Sequence, residues 1–320
     1  MTDETRAPLS EDAIQSIPVA GRLRRSRRVW RILFFLAAAV AVLALLARFG
    51  GDNAPVGASI ARVTINGTIA TDPARLAVLE DLAENDSIKA VIVAINSPGG
   101  TTAGGEELYE ALAALRAKKP VVAVIGELGA SAAYMTAIAS DRIFARRLSI
   151  VGSIGVLYQH VNAGKLLDTI GVDLDKVASG PLKAEPDFDE AISPEVRRSI
   201  ESLITDSFNW FVDVVAERRG LTRPDTMALA DGRILSGRQA LEARLIDAIG
   251  GEDEAIAWLE SEKGVEADLP VHSHFPPPDD GLGWIGRLAG QGARTALGLN
   301  PTGPVVLDGL LSLWQVESSL

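Results

Sequence analysis

A chain of 320 residues, 47% apolar and 23% charged, can build one substantial core with appendages and is too apolar to be disordered through its bulk. A net charge of −11 argues against nucleic acid as a partner, because phosphate contacts need clustered Lys and Arg. The absence of cysteine and the presence of only three histidines, His160, His272 and His274, exclude disulfides, thiolate zinc sites and cysteine nucleophiles and leave few candidates for histidine chemistry.

Six arginines lie between Arg22 and Arg31, and every residue from Ile32 to Ala47 is apolar. With its flanks, 29–49, the run nears the ~20 residues that cross a bilayer. The preceding arginines put the N-terminus in the cytoplasm and the rest of the chain on the far side. A cleaved signal peptide is the rival reading, but it calls for a shorter basic lead and a small-residue cleavage site after the run. The chain therefore divides into a basic segment (1–28), an anchor (29–49), a linker (50–58), a body (59–265) and a C-terminal extension (266–320). The extension is rich in proline and glycine from Pro276 and then turns apolar. A membrane-lying segment, an oligomer contact and a loose tail all fit it.

The body alternates strands and helices. SIARVTI (59–65) reads as a strand, and Asp72-Pro73 opens a helix to about Ala83 with Asp72 as its cap. KAVIVAI (89–95) and VVAVI (121–125) are continuous β-branched runs, as in buried parallel strands. The intervening NSPGGT reads as a turn, followed by a helix from about Gly104 to Ala117. A helix from Ser131 to Ala139 and a strand at 142–145 follow. Beyond them come a long amphipathic helix at 194–219, a helix over 236–250 and one over 252–262. The β-α-β-α-β rhythm predicts an α/β fold with a parallel sheet.

Three segments can carry chemistry. Ser97-Pro98-Gly99-Gly100 follows a strand, and paired glycines let backbone N–H groups face a cleft. Taken alone it is also an ordinary turn. Ser131, between small residues at a helix start, is either a nucleophile beside unpaired N–H groups or a plain N-cap. Ser179-Gly180-Pro181-Leu182-Lys183 is a turn-rich stretch whose lysine is either solvated or a base. A serine nucleophile needs a base, and His160, expected on or near a helix surface, is a poor candidate, while His272 and His274 sit in the tail. No H-E-x-x-H or G-x-S-x-G motif is present. A lysine serves only when neutral. Ordinary lysine titrates near about 10.4, so an apolar site must lower it by roughly 3, at a cost of roughly 4 kcal/mol.

In one order, NSPGG (96–100), GASAAYMTAIASDRIFA (129–145), VGSIGVLYQ (151–159), SGPLK (179–183), FVDVVAERRG (211–220) and ADGRILSGRQALEARLIDAIG (230–250) resemble the signal peptide peptidases of the SppA type, in their short, single-repeat, membrane-anchored form. The resemblance runs from about Ile60 to Ile256. It implies a Clp protease/crotonase-like fold and peptide-bond hydrolysis without cofactor or metal. It further implies Ser131 as nucleophile, Lys183 as general base, the amides of Gly100 and Ala132 as oxyanion donors, and Ser153 orienting the lysine. It implies a ring- or bowl-shaped homo-oligomer in a bacterial inner membrane, with the pair completed between neighbours and the catalytic domain periplasmic. The substrates implied are spent signal peptides and other membrane-proximal peptides. The chain departs from the family pattern at Ala132 and Ala133, where glycines are usual, at Thr101, and at Ala184, where an acidic residue is frequent. A crotonase-like acyl-CoA enzyme shares the fold but belongs in the cytoplasm and normally uses glutamates. A non-catalytic membrane scaffold is the other alternative, and intact Ser131 and Lys183 speak against it.

Overall fold

The computed structural model describes residues 30–40, 57–276 and 311–313. Residues 30–40 form a helix, α1, along which Trp30, Phe34, Phe35 and Leu36 are exposed. The predicted anchor thus lies partly outside the described residues. Among the described residues no helix is long and apolar enough to cross a membrane.

The body opens with β1 (Ser59–Ile69), α2 (Pro73–Glu84), β2 (Ile88–Thr101), α3 (Thr102–Arg116), β3 (Val121–Ala130), α4 (Ala132–Ile138) and β4 (Arg142–Ala145). It continues with β5 (Ile150–Gly152), α5 (Gly164–Ile170), α6 (Pro194–Arg219), α7 (Arg223–Leu229) and β6 (Ile234–Ser236). The last elements are α8 (Gly237–Glu242), β7 (Ala248–Ile249), α9 (Glu252–Lys263), β8 (Val271–Phe275) and β9 (Leu311–Leu313). One sheet runs in the order β6-β5-β3-β2-β1-β8, with β4 also on β3, β7 on β4 and β9 on β2. All pairings are parallel except β5–β6 and β2–β9.

The β-branched runs become central strands because both faces are covered. Val91, Val93 and Ile95 point into a core shared with Leu79, Leu108, Leu112 and Phe211 of the helices on one side. Ala90 and Ile92 point the other way, toward Leu259 of α9. Side chains alternate across a strand, so a run apolar at every position needs a helix layer on each face.

Local signals fix the helix ends. The Asp72 carboxylate accepts from the amides of Ala74 and Arg75 at 3.0 and 3.1 Å, as its capping position predicts. Ser193 accepts from Val196, and Gly220 closes α6 at φ 60°, a left-handed turn that suits glycine.

Three sequence expectations need correction. NSPGGT is not a turn and the second strand does not stop at Ile125: β2 runs on to Thr101 and β3 to Ala130. Their backbones pair with Thr68, Ile69 and Ile150 to Gly152, so ladder hydrogen bonds override the glycine-rich composition. The helix over 236–250 ends at Glu242. Beyond it the Asp247 carboxylate accepts from the Ile143 amide at 2.8 Å, which pulls 248–249 into the sheet beside β4. The sheet also takes in 271–275, past the 265 boundary, because β8 lies parallel on β1.

Tyr134 fixes α4 against the rest of the body. Its hydroxyl donates to the Leu245 carbonyl at 2.8 Å, and burial pushes the phenol's pKa up, so it stays a donor. Tyr134→Phe leaves that carbonyl without its partner in a fully buried setting. The expected cost is about 1–2 kcal/mol, read as a lower denaturant midpoint at unchanged slope.

Candidate active site

The site forms at the C-terminal ends of β2 and β3, the usual place for ligands in open parallel sheets. At the end of β2, the Gly99 amide donates to the buried Ser97 hydroxyl at 3.1 Å. Gly99 has φ 108°, which a side chain would strain. Gly100 lies flat against β1: a Cβ there would fall 1.8 Å from the Ile69 carbonyl oxygen. Gly100 is therefore required by the close approach of two backbones and Gly99 by its positive φ. Gly100→Ala has no flexible neighbour to displace and is expected to cost about 3 kcal/mol or more, which a chemical denaturation curve would register.

At the end of β3 the chain passes directly into α4 through Ser131. This residue is 1% exposed and adopts φ 60°, ψ −122°. Its amide donates to the Gly152 carbonyl at 2.8 Å, and its carbonyl accepts from Met135 at 2.9 Å. It stands at the N-cap position, yet its side chain makes no capping bond to the helix. The plain-cap reading therefore fails at the side chain. A positive φ at a residue with a Cβ costs about 1–3 kcal/mol and persists where the surroundings impose it, often at functional sites. The surroundings here are the Gly152 bond and the packing of Ala132, Ala133 and Tyr134, all buried.

Ser153 is also buried, at φ 50°, and its amide donates to the Arg233 carbonyl at 2.8 Å. Ser131 and Ser153 line one cleft of about 510 Å³. Val156, Leu157, Ile204 and Phe208 give it an apolar wall, and Asp231 and Gly232 complete it. The hydrogen-bonded guanidinium of Arg233 lowers the Asp231 carboxyl to about 2, so the two stand at the cleft as an ion pair. Ala132, the first residue of α4, follows Ser131 in the chain. Neither Ala132 nor Gly100 is among the cleft-lining residues.

Lys183 is placed differently. It lies in an exposed turn, its amide donating to the Gly180 carbonyl at 3.1 Å, and it does not line the cleft. From 155 to 195 no residue is buried. This long arm carries exposed Leu166, Ile170, Val177, Leu182 and Phe188. His160 sits on the same arm, its Nε2 2.8 Å from the Asp187 carbonyl, away from the cleft lining. His272 and His274 are on β8, two strands beyond β2 and three from β3. Glu185, Asp187 and Glu190 cluster on the arm, with the Lys176 ammonium bridging the first two.

Sequence reasoning found both serines but not the rest of the cleft. Ile204, Phe208 and Asp231 reach it from α6 and the α7–β6 connection. Their only local trace is the amphipathic pattern of 194–219 and the Ala-Asp-Gly turn at 230–232.

A mostly parallel α/β sheet with a strained serine at a strand-to-helix junction and a glycine pair on the adjoining strand fits the Clp protease-like class. Residues 59–163 match the Clp protease family model, and residues 113–266 match that of peptidase family S49. A Synechocystis protein named as a protease is 38% identical over 211 residues, which cover 65% of this chain and 76% of that protein. An Enterococcus faecium protein named signal peptide peptidase SppA is 31% identical over 65% of this chain and 61% of its own length. Protease 4 of Salmonella typhi is 32% identical over 56% of this chain and 29% of its own length. The chain thus spans less than two-thirds of the last two. The chain belongs to peptidase family S49, of the SppA type, and is a serine peptidase.

Proposed function

We propose that this peptidase is a membrane-anchored, extracytoplasmic endopeptidase that cleaves remnant signal peptides and other membrane-proximal peptides, with Ser131 as nucleophile and Lys183 of a neighbouring subunit as general base. The observation that carries the reading is Ser131 itself, held at positive φ in the wall of an apolar cleft. The anchor is supported by the exposed apolar side chains of α1 and by the arginines before it.

Lys183 stands exposed on an arm with no buried residue. The dry surroundings that a neutral amine requires therefore have to come from a second copy. Exposed apolar side chains along the same arm are suited to burial against that copy. In the assembled site the neutral Lys183 amine takes the Ser131 proton, and Oγ attacks the peptide carbonyl. The Gly100 and Ala132 amides hold the developing oxyanion. The lysine then protonates the leaving amine, and water releases the acyl group. Ser153, in the same cleft as Ser131, orients the amine.

The apolar wall of the cleft suits small or apolar side chains next to the scissile bond and disfavours charged ones. A peptide library is expected to rank them so, and a preference for acidic residues would reverse the assignment of the cleft. Covalent labelling by a serine-reactive fluorophosphonate tests the nucleophile. Full-length protein is expected to label at Ser131, and Lys183→Ala to label at least about 10²-fold more slowly, the range of a lost general base. Equal labelling of both would contradict the lysine's role.

A further inference from the structure

The run ADGR (230–233) reaches the cleft, yet no step of the reaction uses it. Gly232, at φ 83°, turns the chain back so that one Asp231 carboxylate oxygen accepts from both the amide and Nε of Arg233, at 3.1 and 2.7 Å. A second guanidinium nitrogen donates to the other oxygen. The turn is fastened to the backbone around Ser153. The Gly232 amide donates to the Ile154 carbonyl at 3.2 Å, and the Arg233 carbonyl accepts from the Ser153 amide. Asp231 is the one charged residue among those lining the cleft that holds Ser131 and Ser153. A bare carboxylate so placed would oppose the reaction, because it favours the protonated, inactive form of a nearby amine.

We infer that Arg233 is a positioning residue for proton transfer: its guanidinium cancels the Asp231 carboxylate at the cleft, so that the base which takes the Ser131 proton stays neutral. Arg233 has this role only with the amine base of the proposed function, on which the inference rests, whereas the ion pair rests on the hydrogen bonds alone. Among the described residues, Arg233 is the charged group that acts on Asp231. The charges on the surrounding elements stand or pair elsewhere. The segment 153–157 and α4 carry no charged side chain, and the Tyr134 phenol is buried in its bond to Leu245. Tyr158 and His160, further along the arm, do not line the cleft. On α6, Arg198, Glu201 and Asp206 line a separate surface groove. On α7, Asp225 accepts from Thr222 and Arg223 pairs with Asp213, and past β6 Arg238 pairs with Glu242. Asp231 and Arg233 are about half exposed, so both can be changed without opening the core.

The acidic limb of the pH profile of kcat/KM reports the proton that the base must lose. Arg233→Gln leaves the carboxylate uncompensated, which favours the ammonium, and the limb is expected to move up by about 0.5 pH unit or more, the effect of a unit charge several ångströms away in a partly solvated site. Asp231→Asn keeps an oxygen for the Arg233 amide but leaves the guanidinium uncompensated, and the limb is expected to move down by a similar amount. In the double variant the opposite charge effects cancel, and the limb is expected within about 0.2 pH unit of the parent. Arg233→Lys, which keeps the charge, is expected to hold it there too. A merely structural turn would lower the rate in these variants without moving the limb in opposite directions. That result, or a limb that stays in place throughout, overturns the inference. Fluorophosphonate labelling of Ser131 over the same pH range separates this outcome from the proposed function, because the parent's limb is expected to vanish in Lys183→Ala. A limb that survives there and still moves both ways removes the lysine and leaves the inference standing. A limb lost with Lys183 but unmoved by the charge variants does the reverse.

Discussion

Ser131→Ala is expected to lower kcat/KM for peptide hydrolysis by about 10⁴-fold or more, the scale on which loss of a serine nucleophile falls, while the protein stays folded. The fold should tolerate the change because the bonds that fix this position are made by its backbone, to Gly152 and Met135. Alanine keeps the Cβ and therefore the strain of φ 60°. Glycine does not. Ser131→Gly is expected to be as inactive as the alanine variant yet equal to or more stable than the parent, by up to about 1–2 kcal/mol. Relief of about 1–3 kcal/mol of strain exceeds the 0.5–1 kcal/mol or so that glycine loses in chain entropy. Kinetics on a fluorogenic peptide and a thermal melt of the three proteins would separate the two effects. A glycine variant clearly less stable than the alanine one would mean that the backbone there is unstrained.

Lys183→Ala is expected to reduce kcat/KM by at least about 10³-fold, within the range reached by removing a general base from a serine site. Stability should hardly change. The side chain is exposed in the single chain, and exposed positions away from caps and cores usually move stability by less than about 0.5 kcal/mol. A large kinetic loss at a surface lysine of a correctly folded protein has no explanation within one copy. It is the loss expected if, as proposed, the amine meets the serine across an interface.

The parts of the fold that could be read from sequence were those whose cause is local. The β-branched runs at 89–95 and 121–125, the Asp72-Pro73 cap and the helix from Pro194 to Gly220 each carry their own physical signal. The parts that could not be read are set by distant partners. Glycines at 99 and 100 look like turn residues until β1 is seen to pair with them. Leu245 and Ile246 continue a helical pattern, but both are buried after α8 has ended, and Asp247 ties that stretch to β4.

The candidate site divides in the same way. Ser131 stands out in a small-residue segment, Ser153 is marked only through the family resemblance, and the structure brings the two into one cleft. Phe208, Ile204 and Asp231 line it from elements 50 to 100 residues downstream in the chain, and their local pattern does not point to a cleft. The lysine could be chosen from sequence only through the family resemblance. The single chain leaves it on an exposed arm, where an ordinary solvated lysine would also be found. That contrast between a buried, strained serine and an exposed lysine is what makes the subunit interface the centre of the account.

The most direct measurement mixes two inactive proteins. Ser131→Ala retains the lysine, Lys183→Ala retains the serine, and the two are co-expressed in equal amounts so that they assemble together. If each site takes its serine from one copy and its lysine from the next, about one interface in four joins the two intact residues, by random assortment in a closed ring. Peptidase activity should then rise from the background of either parent to about a quarter of the wild-type value. A mixed assembly no more active than its parents would contradict a catalytic pair shared between subunits.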